Sequence, residues 1–498
     1  MKKIVVVVVV LAAILLVAPY GIGKIAEKKV DKGLDRILQE APYFTIVSRK
    51  WTGGWFKSQQ ELVIELSPVI TQGMDSKAIA KAIVDETAEA EAAMSAEGTE
   101  AEPPAAEEGA EAPSEMPSEE GEPVRFTVRN EVLHGPVLGL SGFGLARVDS
   151  TIDLPEHVVE KIREAFGPKP AFEISTRVHF FGGATTTFKS EGRTVKTKNG
   201  DGEVSYDTFK VAVGFGKNLD SYDFDGKWPK LVAKEGNASV FTMSGMTIEG
   251  EMDRVMGDLY DGDFAFRISD IDVPSQSMSI KDAHYVVEAK TKDGFVNMAA
   301  KIGTGAIKSP PIAMTGLEVK GIHYDFSFNH LHAESLDKLS KGMREAYAKA
   351  ALGVDSDAFE QAFIGALKTQ GSELLKHDPE LGIDRVGLET PDGDGFVKGV
   401  VKFVGVTPED FEAPGGMGLI SKLDADITVS IDDKLVEKLP GAGQQVEGAI
   451  ASGYAKREGG KVVCHITFKN GELLINGKPQ AIPGLGGPPA GMPEEEEE

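Results

Sequence analysis

The sequence predicts an α+β, β-dominated fold: one or more large curved antiparallel sheets with β-bulges, a helical pair around 334–377, and an N-terminal transmembrane helix. Three observations lead there. Apolar residues alternate with period two between turn signals along most of the chain, as Leu62, Ile64 and Leu66 do. The alternation changes phase at Ser/Thr-Gly pairs. The chain also carries an uncharged apolar run near its start.

That run, "MKKIVVVVVVLAAILLVAPYGIGK", is apolar from Ile4 to Ala18 and uncharged to Gly23. About 20 such residues span a bilayer core. A cleaved signal peptide is the rival reading, with a cut after Gly23 fitting better than one that leaves Pro19 beyond the scissile bond. Lys2 and Lys3 keep the start cytoplasmic, so the rest is exported. The spacing then predicts a juxtamembrane helix over 24–42, carrying Val30, Leu34, Ile37 and Leu38.

First strands of the exported domain occupy 43–81. Trp51 and Trp55 flank the paired glycines of "WTGGWFKS", placed in core or turn packing rather than against lipid headgroups. Residues 82–123 hold 14 acidic and no basic residues and read as a disordered acidic insert within the fold. Five glutamates close a disordered tail, 481–498; removing both from the net charge of −25 leaves only −6. With no basic stripe, nucleic acid is not a partner.

Between lie a β-rich region (124–333), the helical pair (334–378) and a C-terminal β region (379–480). A short helix starts after Asp153 with Pro155 in its first turn. Asn470-Gly471 predicts a type I′ hairpin turn. The single cysteine, Cys464, shares a strand face with Val462, Ile466 and Phe468 and reads as a small buried hydrophobe.

"FTMSGMTIEG" (241–250) defines the phase switch: Phe241 and Met243 are odd, Met246 and Ile248 even. "LGLSGFGLAR" (138–147) and "IAMTGLEVKG" (312–321) repeat the pattern. An extra residue in a strand must be absorbed without inverting the core face, which a β-bulge does. Ser141, Gly142, Ser244, Gly245, Thr315 and Gly316 are therefore assigned to bulges, with a tight turn between two strands as the alternative.

Taken in order, several stretches resemble the YdgA-like family of Gram-negative envelope proteins, which has no established biochemical function. They are the short anchor, "WTGGWFKSQQELVIEL", "VLHGPV", "LLKHDPELGIDRVGLETPDGDG" and "GELLINGKP". The resemblance implies an inner-membrane anchor and a periplasmic domain, and supplies no catalytic residues.

Motifs for chemistry are few. "GLSGF" ends in Phe143 where a nucleophile elbow needs Gly, and no Walker loop or His-Glu-x-x-His occurs. "DSYDFDG" lacks calcium ligands at its first and twelfth positions and reads as a turn. His330, His332 and Glu334, with His323 nearby, approach a zinc set but read as exposed polar residues at a strand-to-helix boundary. His134 in "VLHGPV" is expected to fix its turn by hydrogen bonding rather than to catalyse.

No catalytic residue, cofactor or metal is assigned. The expectation is a non-enzymatic periplasmic β scaffold that touches membrane lipid through its anchor and binds a lipid or hydrophobic ligand. An adaptor for another envelope protein is the alternative, and an unrecognised hydrolase a third.

Overall fold

The computed structural model describes residues 44–66, 125–139, 142–156, 159, 172–196, 201–351, 365–411, 417–439 and 441–480, with helical positions between 24 and 35. The predicted transmembrane run, the acidic insert, the tail, most of the helix after Asp153 and Ser141 lie outside these residues. Among the described residues no helix is long and apolar enough to cross a membrane.

The described strands form one antiparallel sheet of 23. The first group is β1 (Phe44–Thr52), β2 (Lys57–Leu66), β3 (Arg125–His134), β4 (Ala146–Asp153), β5 (Glu173–Val178), β6 (Ala184–Ser190), β7 (Arg193–Lys196), β8 (Gly202–Tyr206) and β9 (Phe209–Phe215). Long strands follow: β10 (Ser221–Glu235), β11 (Ala238–Met256), β12 (Leu259–Val273), β13 (Met278–Lys292), β14 (Phe295–Thr304), β15 (Ile307–Lys308) and β16 (Gly321–His332). The last group is β17 (Glu380–Thr390), β18 (Gly393–Phe403), β19 (Leu423–Asp432), β20 (Lys456–Glu458), β21 (Lys461–Lys469), β22 (Glu472–Ile475) and β23 (Lys478–Gln480).

Most neighbours in sequence are neighbours in the sheet, which makes a meander. Three detours interrupt it: β9 pairs with β6 and β10, β14 pairs with β16 while β15 pairs with β13, and β21 pairs with β19. Tight turns drive the meander. Asp293-Gly294 and Asn470-Gly471 have positive φ at both residues, the type I′ geometry that matches strand twist.

Helices are peripheral. α1 (Pro310–Thr315) is a short connector, and α2 (Ala333–Ala351) packs beside a π-helical turn, Leu367–Gly371, that leads into α3 (Ser372–Leu375). Val296, Leu331, Ala333 and Leu374 form their shared core. A second core gathers Val132, Leu145, Ala146, Val148 and Val178, with Trp51 against it.

The three phase-switched stretches differ. "IAMTGLEVKG" is no strand: Pro310 and Pro311 start α1, and Gly316 ends it with φ +73 in the left-handed conformation. Thr315 is the last helical residue, its hydroxyl donating to the Ile312 carbonyl. Gly142, φ +86, sits in the β3–β4 connection, where Leu138 N–H donates to its carbonyl. Neither site is a bulge.

Ser244-Gly245 does lie in a continuous strand, yet no residue is inserted. The pairs Trp228–Met246 and Lys230–Ser244 on one side, and Ser244–Asp270 and Thr247–Arg267 on the other, keep one register. Gly245 has φ +66, and a Cβ there would meet Ser269 Oγ.

The neighbouring strands switch phase at the same level. Phe224 and Trp228 give way to Leu231 and Ala233 across Pro229 in β10. Phe264, Phe266 and Ile268 give way to Ile271 and Val273 across Ser269 in β12. Met278 and Ile280 precede Ala283 and Tyr285 across Asp282, φ +51, in β13. A crease thus crosses four strands together, so registers need not shift. Tyr206, opposite Leu231 beyond the crease, packs edge-on to Trp228 before it, so both phases meet on one side.

Candidate functional site: an apolar face with a polar end

Side-chain alternation and the pairing registers place one row of residues across the sheet. From β5 it runs Ile174, Phe188, Val211, Gly226, Ile248 and Phe266. It continues through Tyr285, Ile302, Tyr324, Val386, Val397, Val429 and Cys464. Successive partners lie about 4.8 Å apart, so these thirteen positions span about 58 Å.

None of these side chains is charged. The adjacent row on the opposite face carries Lys227, Thr247, Arg267 and His284. An antiparallel sheet commonly has one apolar and one polar face, with the apolar one packed on a core. Here the described strands make their main contacts with hydrogen-bonded neighbours and flanking helices only. In mid-sheet the registered neighbours Tyr285, Ile302 and Tyr324 are 40%, 46% and 48% exposed. Aromatic contacts fill the same face: Phe224 meets Phe264 across Gly250 of the intervening β11, and Phe264 meets Tyr285 on the neighbouring strand.

Toward β1 the same row turns polar: Ser150, Asn130, Gln60, then Trp51. Gln60 and Asn130 are buried, and burial costs polar groups stability unless they are hydrogen-bonded. Here they are. Ser150 Oγ donates to Asn130 Oδ1 (2.6 Å), Asn130 Nδ2 to Gln60 Oε1 (2.8 Å), and Gln60 Nε2 to Asp31 Oδ1 (3.3 Å). Arg49 holds Asp31 and Asp35, which ties the N-terminal helical residues to the sheet.

His134 ends β3 beside this chain. Its Nδ1 lies 3.1 Å from the Trp55 carbonyl and its Nε2 2.9 Å from Ser58 Oγ. A carbonyl only accepts, so in the neutral ring Nδ1 carries the proton and Nε2 accepts from the Ser58 hydroxyl. The ring thereby clamps the β1–β2 turn, helped by His134 N–H donating to the Phe56 carbonyl. Ser58 and His134 line a cavity of about 220 Å³ with Lys24, Glu27, Trp51, Gly53 and Gly54. The sequence left Ser58 unmarked, because its partner lies 76 residues away.

The remaining histidines do not converge on a metal; among the described residues no group of His, Cys, Asp or Glu is arranged to hold one. His330, φ +56, stacks on Phe295 at 3.9 Å, and His332 stacks on His377 at 3.8 Å while its Nδ1 meets Ser335 Oγ. Burial, then the neighbouring His332, holds the His377 imidazole below its ordinary range. Burial and Arg385 do the same to His323, whose Nε2 makes no hydrogen bond. "DSYDFDG" opens strand β10 rather than forming a loop. Burial pushes the Cys464 thiol up, as suits a hydrophobe on the apolar face.

Fold and row together define a single-layer antiparallel β protein with one apolar face and a hydrogen-bonded polar end. The chain belongs to a bacterial protein family of unknown function, DUF945, whose model matches residues 1–483. No curated protein and no solved structure matches it.

Proposed function

We propose that this protein is a non-enzymatic scaffold of the bacterial envelope that holds a lipid or other hydrophobic ligand along its apolar face. Residues 1–23 tether it to the inner membrane and the rest lies in the periplasm. The observation that carries this reading is the mid-sheet row Tyr285–Ile302–Tyr324, apolar in body and nearly half exposed. Covering such surface contributes about 25 cal/mol per Å², so an acyl chain laid across the row gains by burial. Lys2 and Lys3 before the apolar run, and the resemblance to YdgA-like envelope proteins, support the location.

The test is to purify the full chain in detergent and identify bound lipids by mass spectrometry. Enrichment of a lipid over an unrelated single-span membrane protein is expected; an identical lipid profile rejects the reading.

A second reading rests on Ser58 and His134 beside their cavity. Their 2.9 Å contact, with Nδ1 oriented by a carbonyl, is also the arrangement of a base-activated hydroxyl. Ser58 Oγ would attack an ester carbonyl carbon as Nε2 takes its proton; the tetrahedral adduct would then break its C–O bond to the alcohol, which leaves with that proton, and water would hydrolyse the acyl-serine. A fluorophosphonate probe that labels the wild type and not Ser58→Ala would favour it; equal labelling of both removes it.

A further inference from the structure

Hairpin turns alternate between the two edges of a meander. The β1–β2 turn, the β3–β4 connection and the β5–β6 turn all fall on one edge, because β2 pairs with β3, β3 with β4 and β4 with β5. Backbone bonds hold them side by side: His134 N–H donates to Phe56, and Leu145 N–H to Val178. At two strands per turn, neighbouring tips stand about 10 Å apart.

Each tip presents large apolar side chains to solvent. Trp55 and Phe56 are 51% and 48% exposed, Phe143 is 73% exposed, and Phe181 is 96% exposed. The surrounding geometry holds these tips in shape. Gly135 would clash with the Gly144 carbonyl if it carried a Cβ, and Gly183 with that of Phe215. The Lys217 stem lies against Gly182, the residue after Phe181.

A second, independent observation concerns the chain before the sheet. Lys24 lines the cavity with Gly53 and Gly54, so it sits at the β1–β2 turn, on this same edge. The residue before it ends the uncharged run 4–23. The first described residue of the chain, Lys24, therefore lies on the edge that carries the three aromatic tips.

We infer that the sheet edge formed by the β1–β2, β3–β4 and β5–β6 turns rests on a lipid bilayer, with Trp55, Phe56, Phe143 and Phe181 entering the headgroup region. Aromatic rings with an apolar body favour that zone, and lysines beside them meet lipid phosphates. The bilayer then receives three rigid contacts besides the tether. They set the strands across the membrane plane and stand the sheet on its edge. The inference rests on the proposed tether but not on the ligand.

The test uses the full chain in vesicles of phosphatidylethanolamine with a minor share of phosphatidylglycerol. Nitroxides are placed by Phe143→Cys, Phe181→Cys and, on the opposite edge, Asn237→Cys, each with Cys464→Ala. Positions 143 and 181 are expected to be several-fold more accessible to lipid-soluble oxygen than to an aqueous nickel chelate, with 237 the reverse. Vesicle-bound chain whose positions 143 and 181 meet the chelate as readily as 237 overturns the edge contact. Chain that stays in the aqueous fraction overturns the tether and the edge contact together. If Cys464→Ala prevents folding, quenching of tryptophan fluorescence by brominated lipid replaces it. Trp55→Phe should then remove most of the quenching, and unchanged quenching overturns the proposal.

Discussion

The β1–β4 end and the long-strand centre use the same sheet face in opposite ways. At the end, Gln60, Asn130, Ser58 and His134 are polar, buried and hydrogen-bonded. In the centre, Tyr285, Ile302 and Tyr324 are apolar in body and substantially exposed. Each choice costs stability if left uncompensated, since buried polar groups need partners and exposed apolar surface needs a cover. The end supplies its own compensation. The centre has no such compensation among the described residues, and the proposed ligand is placed there.

Changes on the centre should break that contrast most. Ile302→Glu sets a carboxylate among Tyr285 and Tyr324. We expect bound lipid to fall about tenfold or more, since an unpaired charge against an apolar ligand costs upward of ~1.4 kcal/mol. Lys301→Glu, one residue away on the polar face, should leave the lipid profile unchanged.

Next in size is Gly245→Val, which combines positive φ with a Cβ against Ser269 Oγ. A loss of about 3 kcal/mol in denaturant unfolding is expected. Gly316→Val meets open space and should lose only about 1–2 kcal/mol. Equal losses would show that the crease is not under tighter constraint than a helix cap.

At the polar end His134→Ala strands the Ser58 hydroxyl and the Trp55 carbonyl. It should destabilise by about 1–3 kcal/mol while bound lipid stays in place. The smallest effect concerns pH. His377 has a folded pKa below the ordinary imidazole value of about 6.5. The unfolded chain therefore binds more protons as pH falls through that value. Stability should decline below about pH 6.5, and His377→Gln should flatten the decline in urea titrations at pH 5 and 7.

Much of the local structure was legible in the sequence. Alternation marked the strands and Asn470-Gly471 its hairpin. The phase switch was visible too, but its cause lies in the neighbours. Pro229, Ser269 and Asp282 switch phase beside Gly245, and no single strand reveals that. "IAMTGLEVKG" misled because apolar spacing of two also fits a short helix followed by extended chain; Pro310-Pro311 was the signal for α1. Trp51 packs on a core as expected, and Trp55, in the β1–β2 turn, is half exposed. The Ser58–His134 contact and the apolar row depend on pairings between distant segments, which residue patterns do not encode locally.

The central claim is that the apolar face, and not the polar one, contacts lipid. Photo-crosslinking in intact membranes tests it directly, with benzoylphenylalanine placed at Tyr285, Ile302 and Tyr324 and, on the polar face, at Glu288, Lys301 and Asp325. Lipid adducts by mass spectrometry at the first three positions and not the second three are predicted. Adducts of equal yield on both faces, or none on the apolar face, would contradict the account.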